Sequence, residues 1–85
     1  MVTKHTIVGV HITDRLEEAT EVQRVLTEFG RIIKTRLGLH ELENEGLNGI
    51  LLLEMLDDDD GVQRLRAGLD AIEGVEVQAM VFTHD

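Results

Sequence analysis

An α+β fold of two layers, a four-stranded antiparallel sheet with two helices on one face, is predicted by three observations. Apolar runs around residues 5–12, 31–37, 50–56 and 75–82 alternate or run continuously as strands do. Segments 14–29 and 59–73 instead carry apolar residues at helical spacing, so the order is strand, helix, strand, strand, helix, strand. These elements fill nearly all of the 85 residues, which predicts one domain spanning 1–85. Two interleaved strand-helix-strand units of this size make the ferredoxin-like βαββαβ sandwich.

The first strand, His5 to Ile12, splits into Thr6, Val8, Val10 and Ile12 on one face and His5, Ile7, Gly9 and His11 on the other. The more apolar set is expected to face the helices. Asp14, with Glu17 three residues later, forms a capping box for the first helix. Leu16, Ala19, Val22, Leu26 and Phe29 make its buried stripe, and Gly30 is the expected stop. In the second strand Ile33, Thr35 and Leu37 alternate with Ile32, Lys34 and Arg36, which suits a sheet edge with the first set facing the core. Gly38–Gly49 has no period and reads as a long hairpin loop, longer than a simple turn requires. Ile50 to Leu56 is apolar on both faces apart from Glu54, which marks a central strand that needs cover on both sides. After Asp57–Asp60, Val62, Leu65, Leu69 and Ile72 form the stripe of the second helix, which ends at Gly74. Val75, Val77, Ala79 and Val81 of the last strand then face the core, with Glu76, Gln78, Met80 and Phe82 opposite.

Composition narrows the chemistry. The chain has no cysteine, which excludes disulfides, thiolate metal sites, thiolate-ligated iron–sulfur clusters and cysteine nucleophiles. Seventeen acidic residues against eight basic ones give a net charge of −9, which opposes direct binding to nucleic acid or to an anionic membrane. No secretory segment precedes the first strand and no apolar run approaches the roughly 20 residues of a membrane helix, so the cytoplasm is the expected compartment.

The sheet face turned away from the helices collects Ile7, Gly9, Ile32, Ile50, Leu52, Met80 and Phe82, with His5, His11, Lys34, Arg36, Glu54 and Glu76 among them. A lone domain leaves this face in water, and a small two-layer domain has little core to spare. A homodimer or higher homo-oligomer is therefore expected, with Ile7, Ile32, Ile50, Leu52, Met80 and Phe82 at its interface. Six such side chains at roughly 1.5 kcal/mol each give a gross gain of about 9 kcal/mol before association costs.

Three segments carry a family likeness: Ile12-Thr13-Asp14-Arg15; Phe29-Gly30-Arg31-Ile32-Ile33 with Arg36-Leu37-Gly38; and Leu69 to Val77, reading Leu-Asp-Ala-Ile-Glu-Gly-Val-Glu-Val. In these the chain resembles the small ACT-like family of iron-only hydrogenase system regulators, related in fold to the C-terminal domain of nickel-responsive repressors. The resemblance implies an oligomeric ACT-like domain that senses a small molecule or assists hydrogenase-related regulation. The repressors' nickel ligands, a close histidine pair with a cysteine, have no counterpart here. Nor does the Pro-Gly turn by which ACT domains approach amino acids, its place being taken by Asp14-Arg15-Leu16-Glu17. No basic helix precedes Thr3, so a regulatory role is expected to need another chain to touch DNA.

The polar constellations mostly have plain readings. His5 and His84 come together if the first and last strands pair, and with Asp85 they offer metal ligands, although a solvated pair is the expectation. A register that puts His5 opposite Phe82 sets His11 opposite Glu76, an ordinary cross-strand pair. Asp57-Asp58-Asp59-Asp60-Gly61 fails as a calcium loop, because Leu56 and Ala67 fall where carboxylates are needed; capping of the second helix explains it. His40 with Glu41, Glu43 and Glu45 reads as a solvated charge run. With no serine and no threonine-histidine-acid spacing, no catalytic residue, cofactor or metal is expected. The expected function is a non-catalytic regulatory or small-ligand-sensing module, with its ligand where the first strand meets the first helix near His11, Thr13 and Asp14. A metal-handling protein or small enzyme using His5, His11 or His84, and a pure assembly module for another protein, are the alternatives.

Overall fold

A computed structural model describes residues 3–13, 16–40 and 49–85, with the side chains of 16–19 and 40 outside that description. The elements are β1 (Thr3–Ile12), α1 (Leu16–Glu28), a 3-10 turn (Gly30–Ile32), β2 (Ile33–His40), β3 (Gly49–Met55), α2 (Asp59–Asp70) and β4 (Val75–His84). The sheet order is β2-β3-β1-β4 and every neighbouring pair is antiparallel. This is the ferredoxin-like arrangement, with β3 and β1 central and β2 at an edge, as the alternation patterns require.

The core lies between the helices and one sheet face. Val8 and Val10 of β1, Leu53 and Met55 of β3 and Val75 of β4 meet Val22, Val25 and Leu26 of α1 and Val62, Leu65 and Leu69 of α2. Pairing of Thr6 with Met55, Val8 with Leu53 and Val10 with Leu51 keeps these residues on one face, since directly paired residues share a side. Val25 joins the stripe one turn after Val22, where helical spacing allows it. The capping box of Asp14 and Glu17, and the Leu16 and Ala19 side chains, lie outside the described residues.

Several boundaries differ from the sequence expectation. Gly30 does not end the helix through a left-handed residue; the chain tightens into a 3-10 turn in which the Ile32 amide donates to the Phe29 carbonyl at 3.1 Å. The second helix stops at Asp70, and Gly74 makes the reversal into β4 with φ of 85°. Asp58 caps α2, its carboxylate accepting from the Gly61 amide at 3.0 Å, so one member of the acidic run has the expected capping role. β2 continues through Gly38 and Leu39 to His40, and β3 begins at Gly49, so both ends of the expected Gly38–Gly49 loop belong to strands; residues 41–48 are not described. Val81 pairs with Thr6 on the helix side, yet it is 56% exposed toward the end of an edge strand rather than buried.

The largest departure is a β-bulge. Ile33 pairs with Met55 but Thr35 pairs with Glu54, so Lys34 is an extra residue in β2. One inserted residue reverses every later side chain. Arg36, expected on the open face, pairs with Leu53 on the helix side and donates to Gln23 Oε1 of α1 at 3.1 Å. Leu37, expected in the core, pairs with Leu52 on the open face.

Candidate functional site on the open sheet face

The open face is built from the cross-strand rows of the register. Leu39 pairs with Ile50, Ile50 with His11, and His11 with Glu76. In the next row Leu37 pairs with Leu52, Leu52 with Gly9, and Gly9 with Gln78. Beyond it Glu54 pairs with Ile7 and Ile7 with Met80, and His5 pairs with Phe82. The apolar band therefore runs diagonally from Leu37 and Leu39 through Ile50 and Leu52 to Ile7, Met80 and Phe82. Leu37, Leu39, Ile50, Met80 and Phe82 are 42–56% exposed, so the monomer leaves the band in water. Ile7 and Leu52 are partly covered by their neighbours.

Ile32 does not belong to this band. It lies in the 3-10 turn and packs against the core, with its Cδ1 only 2.8 Å from where a Cβ on Gly61 would stand. Leu37 and Leu39 take its place on the face; alternation read from Ile33 puts Leu37 in the core because it cannot see the bulge, and Leu39 falls within the expected loop. The usable signal was the Leu37-Gly38-Leu39 alternation, which continues into the segment read as loop.

Gly9 opens a depression in the centre of the face. A side chain there would meet only the Gln78 carbonyl at 3.8 Å and Leu52 Cδ2 at 3.9 Å. The cavity measures about 230 Å³ and is lined by Gly9, Val10, His11, Ile50, Glu76 and Gln78. Its polar edge is the His11 and Glu76 pair, with Gln78 Nε2 donating to the Glu76 carboxylate at 3.2 Å. Of the three expected ligand residues, His11 reaches this depression. Thr13 is turned to the α2–β4 reversal, where its amide at 3.1 Å and its hydroxyl at 2.9 Å both donate to the Gly74 carbonyl. Asp14 lies outside the described residues.

His5 and His84 do meet, with Nε2 atoms 3.0 Å apart and ring planes within 6° of parallel. Both sit in the paired β1–β4 ladder rather than on frayed ends. His40 has no described side chain, and Glu41, Glu43 and Glu45 lie outside the described residues. Of the acidic run, Asp59 binds Lys4 through both carboxylate oxygens at 2.8 Å. That hydrogen bond, helped by the charges of Asp59 and Asp57 against partial desolvation, raises the Lys4 pKa above its ordinary 10.5.

No protein-family model and no curated protein matches the chain. Among solved structures it is similar to the uncharacterized protein TM1266 from Thermotoga maritima, at 26% identity and a TM-score of 0.83, covering 94% of this chain and 99% of that one. It is also similar to the ACT domain from GTP pyrophosphokinase of Chlorobium tepidum, at 18% identity and a TM-score of 0.68, covering 92% of this chain and all of that one. The chain has an ACT-like fold. The same ACT-like frame extends to CPII, a nitrogen regulatory PII-like protein from Thiomonas intermedia K12 solved with ADP, AMP and bicarbonate, at 9% identity and a TM-score of 0.65, covering 100% of this chain and 94% of that one. Among the described residues of this ACT-like chain, no helix is long and apolar enough to cross a membrane.

Proposed function

We propose that this chain is a single-domain, non-catalytic ACT-like regulatory module that pairs with a second copy through the open sheet face and takes a small ligand beside His11. The observation that carries the reading is the apolar band, whose five large residues stand 42–56% exposed across three strands. A face of this kind is costly in water and gains when covered. The depression over Gly9 lies within the band, so a ligand resting on its glycine floor would reach His11, Glu76 and Gln78 and be enclosed by the second copy. CPII, with its bound ADP and AMP, supports a sensing role for this frame. The Ile12–Arg15, Phe29–Gly38 and Leu69–Val77 segments support a finer assignment, regulation linked to iron-only hydrogenases in the cytoplasm, acting through a protein partner. Co-purification with a hydrogenase-maturation or regulatory protein tests that link.

Native mass spectrometry of the purified chain tests the module itself. An oligomer carrying a discrete extra mass is the expected result and gives the ligand's weight directly. A bare monomer at micromolar concentration overturns the covered-face reading. A bare oligomer that gains no mass with any nucleotide or amino acid assigns an assembly module instead.

A further inference from the structure

We infer that His5 and His84 form a binding site for a divalent transition cation that takes imidazole ligands, the class that includes Ni2+, Cu2+ and Zn2+. The two residues are a diagonal cross-strand pair on the open face, since Thr3 pairs with His84 and His5 with Phe82. The strand ladder therefore sets their separation. Their Nε2 atoms stand 3.0 Å apart. Imidazole–metal bonds of about 2.1 Å place two ligands at a right angle roughly 3.0 Å apart, against about 3.4 Å for a tetrahedral pair. The observed separation is that of a hydrogen-bonded pair and is close to both edges, so a modest turn of the rings brings the two nitrogens to one ion without selecting a coordination geometry.

The second ring nitrogen of His84 supplies a further observation. Its Nδ1 lies 3.4 Å from a backbone oxygen of Asp85, so with its proton on Nδ1 the ring donates there and presents its Nε2 lone pair toward His5. Metal-binding imidazoles commonly carry such a bond on the far nitrogen, which holds tautomer and ring orientation. In the metal-free pair, the His5 Nε2–H donates to the His84 Nε2. Binding moves the His5 proton to its own Nδ1 and turns the rings so that both lone pairs converge. No proton leaves when both rings start neutral. Among the described residues no third His, Cys, Asp or Glu side chain joins the pair, so the remaining coordination positions fall to water or other outside donors.

The test is titration of the full chain with Ni2+ and with Cu2+ by calorimetry, with electron paramagnetic resonance of the bound Cu2+. Expected are one saturable ion per chain, two coordinated nitrogens in the copper spectrum, and binding that weakens as protons compete at lower pH. His5→Ala and His84→Ala should each lower affinity at least about tenfold, whereas His40→Ala should not. His84→Asn serves as a second variant, and circular dichroism checks that each exposed-site variant is folded. Unchanged affinity in the folded His5 and His84 variants, absence of a saturable site, or a one-nitrogen copper spectrum overturns the assignment.

Discussion

Leu52→Asp is the sharpest perturbation of the proposed pairing face. Leu52 sits in the middle of the band, between Leu37 and Gly9, and points away from the core that its neighbour Leu53 fills. Because Leu52 is already partly covered, removing it forfeits the lower end of a leucine's burial, about 1.5 kcal/mol per copy. In a symmetric pair both copies change, so the loss is about 3 kcal/mol, a dissociation constant weakened on the order of a hundredfold. The new carboxylates must also be desolvated, which adds to that figure. Sedimentation equilibrium over a concentration series measures it, with far-UV circular dichroism to confirm that the sheet is retained. A folded variant whose mass and dissociation constant match the parent's would refute the reasoning, since the centre of the band would then be outside any interface.

Three further outcomes are expected. Leu53→Ala, one residue away but fully buried, should cost about 3–5 kcal/mol of folding stability in urea unfolding; a loss below 1 kcal/mol contradicts the assigned core. Gly74→Ala should cost about 1–2 kcal/mol, because the residue at φ of 85° turns the chain into β4 while its carbonyl holds Thr13; an unchanged melting temperature removes the left-handed turn. The Lys4–Asp59 pair should be felt in alkali: a lysine pKa raised on folding stabilises in full below the ordinary 10.5 and the contribution is lost as pH rises through the raised value. The difference in melting temperature between the parent and Asp59→Asn should therefore shrink as pH climbs past about 10.5, and a difference constant from about pH 8 upward counts against the pair.

Most of the frame was legible because local patterns answer to local physics. The even-numbered residues Thr6 to Ile12, the Leu65–Leu69 stripe and the two-sided run Ile50 to Met55 each bury the side their period indicates. The candidate site was legible in part: Ile7, Ile50, Leu52, Met80 and Phe82 lie on the open face as alternation places them, and His11 lies opposite Glu76. Arg36 and Leu37 were misplaced by the extra residue at Lys34, whose cost and benefit depend on how β2 meets β3 and leave no mark in composition, and Ile32 was misplaced because it lies in the 3-10 turn before the strand begins.

What the sequence by itself determined is the element order, the absence of thiol chemistry, the acidic charge and the faces of unbroken strands, all of which follow from period and residue type. What only the tertiary structure decided is the reversal of β2 that completes the apolar band, the commitment of the Thr13 hydroxyl to Gly74, and the 3.0 Å meeting of His5 and His84. Those depend on contacts between residues up to 79 positions apart, and long-range register is set by the packing of whole elements, which no local window of sequence contains.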